Sequence, residues 1–325
     1  MEQARLPLPR SAGQRSQALL IAVLLALAFV GWTLTDERMN GMDAGPGTDL
    51  GTAGFFVTAW VVMMAAMMFP SIWPMVTIYR RIQEGRRSQE REAPIGATAI
   101  FVAGYLVTWT AAGLVAYVAF EAIQSLSIDA FSWDRGGPYL AGAVILAAGI
   151  YQLTPLKDVC LSKCRSPLMF VLTSWQPGRL GALRMGIEHG AWCVGCCWAL
   201  MAALFALGVM SLGWMLFIAA LIAIEKLLPW KAVANRGIAV LLLALGLAVA
   251  FAPANVPGLV IPGSPEAARA MEAMGMDEGG MKDGDGHPGG AMKDDAMPRS
   301  DAMPRSDAMP RSDAMPRSDA MPAGK

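Results

Sequence analysis

Residues 51–75 read GTAGFFVTAWVVMMAAMMFPSIWPM, twenty-five consecutive positions without a charged side chain. A helix that crosses a bilayer needs about 20 mostly apolar residues, because inside hydrocarbon the backbone must satisfy its own hydrogen bonds. This stretch meets that need and predicts a membrane span. Six others come close to it, giving in chain order 18–35, 51–75, 96–120, 137–155, 190–211, 214–229 and 237–253. Only Leu212 and Gly213 separate the fifth from the sixth, which predicts a tight hairpin. The sixth is short and ends in Glu225-Lys226, where long side chains can reach water. Arg5, Arg10 and Arg15 precede the first as in a signal peptide, but Gly31-Trp32-Thr33-Leu34-Thr35-Asp36 is no small-x-small cleavage site. The expectation is an all-α integral membrane protein of about seven transmembrane helices, six if the first is cleaved or the short sixth does not span.

Composition agrees. Of 325 residues, 55% are hydrophobic and 16% charged, against about a quarter charged in soluble domains. Mean hydropathy is +0.43. An ordinary soluble domain is excluded, and a formal net charge of zero gives no footing for nucleic acid as a partner. Five cysteines are too few for a disulfide-stapled scaffold. The lipid bilayer is the partner that composition does imply.

Two regions divide the chain. Residues 1–255 form the polytopic helical domain, and 256–325 a low-complexity tail rich in Met, Asp, Pro and Gly. The tail contains ten of the 23 methionines and four complete copies of Asp-Ala-Met-Pro-Arg-Ser between Asp295 and Ser318. A proline in every repeat forbids continuous helix, and no apolar period builds a core, so disorder is expected there. Lys and Arg in the short loops set orientation. The N-terminal segment and residues 76–95, 156–189 and 226–236 contain sixteen, whereas 36–50 and 121–136 contain two. This bias puts the N-terminus in the cytoplasm and the C-terminal tail outside.

The chemistry gathers around sulfur. Met63, Met64, Met67 and Met68 fall on adjacent stripes of one helix, just before Pro70 and Pro74. Thioethers are soft neutral ligands suited to Cu(I), although Met is also an adaptable core filler. Cys160 and Cys164 stand four apart beside Lys163 and Arg165, a positively charged setting in which thiolates bind metal or react. The plainer possibility is a pair of inert surface thiols. Further on, Met185, His189, Cys193, Cys197 and Met201 recur at steps of four, with Cys196 one position aside. Cysteine and histidine are the ligands of late transition metals. Gly181, Gly186, Gly190 and Gly195 in the same stretch also suit close helix packing and nothing more. In the tail, Met271, Met274, Met276, Met281 and His287 lie among acidic residues in a spacing suited to scavenging a soft metal. Charge bias brings Ser71, the two cysteine groups and His189 to similar depth on the cytoplasmic side, where thiols stay reduced.

In combination, these motifs resemble a bacterial family of predicted metal-binding integral membrane proteins, described as copper chaperones. The resemblance rests on Met63-Met64-Ala65-Ala66-Met67-Met68-Phe69-Pro70-Ser71, Cys160-x-x-x-Cys164-Arg165-x-Pro167, Gly186-x-x-x-Gly190 and Cys193-x-x-Cys196-Cys197-Trp198-x-Leu200-Met201. Trp214-Met215 and Glu225-Lys226 also fit, and the resemblance covers roughly residues 50–230. Some members are associated with polyphenol oxidases (tyrosinases) as maturation partners. It implies a multi-pass protein of the bacterial inner membrane that binds copper, as Cu(I), and delivers it to a periplasmic or secreted copper oxidase.

Two other functions fit parts of the sequence. An intramembrane thiol–disulfide oxidoreductase would use Cys160/Cys164 with Cys193/Cys196. A transition-metal permease would need a proton relay, and only Glu225 and Lys226 are ionisable within a predicted span. One histidine in the membrane domain cannot supply paired haem ligands. No hydrolase triad, phosphate-cradling loop or dinucleotide fingerprint is present, so the sequence predicts a non-enzyme.

Overall fold

The computed structural model describes residues 10–39, 41–46, 50–89, 94–125, 133 and 135–273. Among them all regular structure is helical: α1 (Arg10–Met39), α2 (Ala53–Ser88), α3 (Ala97–Ser125), α4 (Gly137–Tyr151), α5 (Pro155–Arg165), α6 (Pro167–Thr173), α7 (Gly178–Leu207), α8 (Leu212–Leu227), α9 (Lys231–Phe251) and α10 (Pro265–Ala273), with a 3-10 turn at Pro253–Asn255.

Five of these, α1, α2, α3, α7 and α9, are long and apolar enough to cross a membrane. The number rises to six if α4 and α5 form one span bent by 67°. The sequence predicts about seven, or six if the short sixth segment, which is α8, does not span. Its 16 residues extend about 24 Å at 1.5 Å per residue, less than a hydrocarbon layer of about 30 Å.

The quoted methionine stretch sits in α2, the most enclosed helix, which packs against α1, α3, α6 and α8. The Thr52 hydroxyl caps its first turn by accepting from the Phe55 amide. Pro70 and Pro74 lie inside it without ending it. Near them the Ser71 hydroxyl donates to Met68 O at 2.8 Å and the Thr77 hydroxyl to Pro74 O at 2.9 Å, ordinary back-bonds to the preceding turn. The expected loop after residue 75 is therefore helix as far as Ser88, with the arginines on its final turns.

At one end of the bundle three connections meet. Gly45 takes φ +92°, and a Cβ there would lie 2.3 Å from Val260 O. Trp214 Nε1 donates to Gly258 O at 3.0 Å. Ala44 packs with Ala267 and Ala270, flanked by Val260 and Met271. The 41–46 loop, the start of α8 and the chain after α9 thus share this end. Residues 256–273, placed in the tail on composition, are folded onto the helices here because Val256, Leu259, Ala267 and Ala270 supply apolar contacts. The remainder of the tail, including Met274, Met276, Met281, His287 and the repeats, lies outside the described residues.

Candidate metal centre

α7 is the scaffold of the site. It runs along α3 and also touches α4, α5 and α8. Its glycines are the points of closest approach: a Cβ on Gly186 would lie 2.1 Å from Phe101 O, and one on Gly190 2.7 Å from Thr108 Cβ. Close packing at these glycines brings side chains of other helices to α7. At Gly195 a Cβ would lie 2.9 Å from the Cys160 sulfur, so α5 approaches at that position as well.

Cys193, Cys196 and Cys197 are at most 1% exposed, and their sulfurs all lie within 4.8 Å of one another. For a metal–thiolate bond of about 2.3 Å, three sulfurs placed symmetrically around one ion are about 4 Å apart, so the group needs only a small contraction to close. Spacing explains the grouping. Positions 193, 196 and 197 differ by three and four, one helical turn, and the thiols of Cys196 and Cys197 both donate to Cys193 O, at 3.1 and 2.9 Å.

Groups from three other helices complete the surroundings. Tyr105 of α3 has its hydroxyl 3.0 Å from the Cys193 sulfur. Lys226 of α8 places Nζ 3.0 Å from the same sulfur, 3.4 Å from Ser71 Oγ and 3.9 Å from Met68 Sδ. Cys164 of α5 lies 3.8 Å from Cys196, sulfur to sulfur. All five cysteines are free thiols. Beneath the site Lys157 and Glu225, each 1% exposed, form an ion pair at 2.7 Å. Arg165 donates to Glu225 O at 2.9 Å and to Leu228 O. These contacts clamp α5 to α8 and so hold Cys164 and Lys226 on the same side of α7.

The sequence candidates divide accordingly. Cys193, Cys196 and Cys197 come together with Cys164 beside them, and Met68 reaches them through Lys226. Cys160 is buried against Gly195. Met63, Met64 and Met67 are buried core residues of α2. Met201 lines an apolar groove of about 530 Å3 with Trp60, Trp109, Trp198 and Phe205, away from the thiol group. His189 is buried among Phe101, Tyr105 and Phe170. Met271 packs beside the alanines of α10.

Sequence reading missed Tyr105, Met75 and the part played by Lys226. Lys226 had a signal, because an ionisable residue in an apolar helix marks a functional site by default, but its place near the helix end suggested snorkelling instead. Tyr105 carried none, being 88 residues from its partner.

Buried thiols grouped at one-ion distance form a soft donor set. Comparison with known proteins agrees. A family model described as PpoB2 copper chaperone matches residues 57–249. No curated protein and no solved structure matches the chain. The matched span includes α7, the thiol group and most of the helical domain, and the chain belongs to the PpoB2 copper chaperone family.

Proposed function

We propose that the protein holds Cu(I) on Cys193, Cys196 and Cys197 within the membrane and supplies it to a copper enzyme outside the cytoplasm, a polyphenol oxidase in the first instance. The observation that carries this reading is the proximity of three buried sulfurs in a chain of a copper chaperone family. Thiolates select Cu(I) over harder ions. The role is that of a carrier without catalysis, for which exchangeable ligands suffice.

The protein resides in the bacterial inner membrane with its N-terminus in the cytoplasm. Loop charge supports this orientation, with sixteen Lys and Arg against two. The chain's path is compatible with it, because the 41–46 loop, the α7–α8 turn and the segment after α9 meet at one end. The short α8 then brings Lys226 to Ser71, midway along α2. Met271, Met274, Met276, Met281 and His287 then lie on the outer side, where thioethers and imidazole gather or release the ion without the oxidation that consumes thiols.

Copper analysis of the full-length protein in detergent tests the reading. The wild type is expected to retain one equivalent of Cu(I) through gel filtration. The triple variant Cys193→Ser, Cys196→Ser, Cys197→Ser should retain none, and undiminished copper in it would remove the site.

A further inference from the structure

Beside the three sulfurs lies a small separate cavity of about 30 Å3, whose walls include Ser71 and Met75 of α2, Cys164 and Arg165 of α5, His189 of α7 and Lys226 of α8. Three of those side chains are soft donors of three kinds: a thioether, a thiol and an imidazole. His189 is 1% exposed, and its Nδ1 has no hydrogen-bond partner. A neutral imidazole has one donor and one acceptor to satisfy, and buried polar atoms are nearly always paired. The rings of Phe101 and Phe170 that flank it offer neither, and the Tyr105 hydroxyl is engaged with Cys193. His189 is therefore held, incompletely partnered, at the wall of a space larger than the roughly 10–15 Å3 that one water needs.

The cationic side chains on the wall are already committed. Arg165 bonds the Glu225 and Leu228 carbonyls, and Lys226 bonds Cys193. Their charge still bears on whatever enters, opposing a divalent ion twice as strongly as a monovalent one. Cys164 links the cavity to the buried group through its 3.8 Å approach to Cys196.

We propose that this cavity is a second copper station, built from Cys164, His189 and Met75, through which Cu(I) reaches and leaves the three-sulfur site. The proposal rests on the reading of Cys193, Cys196 and Cys197 as the copper site. Cu(I) bonds first to the Cys164 sulfur, whose thiol proton passes to water, while His189 and Met75 complete its ligands. The neighbouring Cys196 sulfur then bonds the same ion and releases its own proton. That proton passes to Cys164 as its bond to copper breaks, and Cys193 and Cys197 then bond the ion, each losing its thiol proton to water. The ion remains Cu(I) throughout, so no oxidant or reductant is consumed.

Transfer kinetics separate this station from the site it serves. Full-length protein in detergent is mixed with Cu(I) held by bathocuproine disulfonate, and the loss of the coloured complex is followed. His189→Gln and Cys164→Ser are expected to retain one equivalent of copper at equilibrium yet load roughly tenfold more slowly, a loss of the size seen when metal-orienting groups are removed. Met75→Leu keeps the volume of the core and should also slow loading. Wild-type rates in all three variants would overturn the proposal. Loss of the retained equivalent in folded His189→Gln or Cys164→Ser would overturn it differently, by making the two stations one site. A wild-type chain that takes no copper would instead remove the reading on which it stands.

Discussion

Among the contacts that the Cys193 sulfur receives from other helices are the Tyr105 hydroxyl and the Lys226 ammonium, both at 3.0 Å. Three thiolates around one monovalent ion leave a doubly negative cluster, more charge than the metal-free thiols present to Lys226. In a water-poor interior that difference governs the sign. Lys226 stabilises the loaded site more than the empty one, even though it touches a ligand in both. Lys226→Met should thus weaken Cu(I) binding by roughly ten- to a hundredfold, in keeping with a charge-assisted hydrogen bond of about 1.5–3 kcal/mol. Competition against a chelator of known affinity measures it, and tighter binding in the variant would mean that the lysine competes with copper. At this scale much of the site was legible. Cysteines at three- and four-residue spacing must share a helix face, and they do. Met201 and Met63 were not separable from true neighbours of the site, because the same spacing also describes a helix buried on several sides.

Helix contacts decide whether those sulfurs stay together. α3 and α7 touch through glycines, with a Cβ on Gly104 falling 2.3 Å from Leu183 O and one on Gly186 2.1 Å from Phe101 O. In a membrane such small residues permit close packing that apolar burial alone does not drive. Gly186→Ala forces the helices apart against backbone, so the cost should match an overpacked core, about 1–3 kcal/mol. A thermal melt in detergent should fall by several degrees, and an unchanged melt would show that the contact is loose. The sequence revealed the helices of this layer because runs of apolar residues have no other use at such length. It left the number of spans at about seven or six, because apolarity between residues 214 and 229 cannot distinguish a short buried helix from a crossing one. The continuation of α2 through Pro70 and Pro74 was equally hidden, since the packing of α2 against α1, α3, α6 and α8 that offsets the prolines exists only in the folded state.

Across the whole molecule, the chain converges at two places. One gathers the 41–46 loop, the start of α8 and residues 256–263. The other brings Ser71, Cys164 and Lys226 around His189. The sequence put Ser71, Cys164 and His189 at similar depth, and these three line one cavity. Nothing in the sequence showed that Lys157 and Glu225, 68 residues apart, pair in the interior to hold α5 on α8. Whether three sulfurs of α7 bind one copper ion is read from X-ray absorption at the copper edge. Full-length protein loaded with a single equivalent of Cu(I) should show a nearest shell of sulfur alone, with three neighbours, that vanishes in the triple serine variant. A nearest shell of nitrogen or oxygen, or a sulfur shell that survives the loss of Cys193, Cys196 and Cys197, would contradict it.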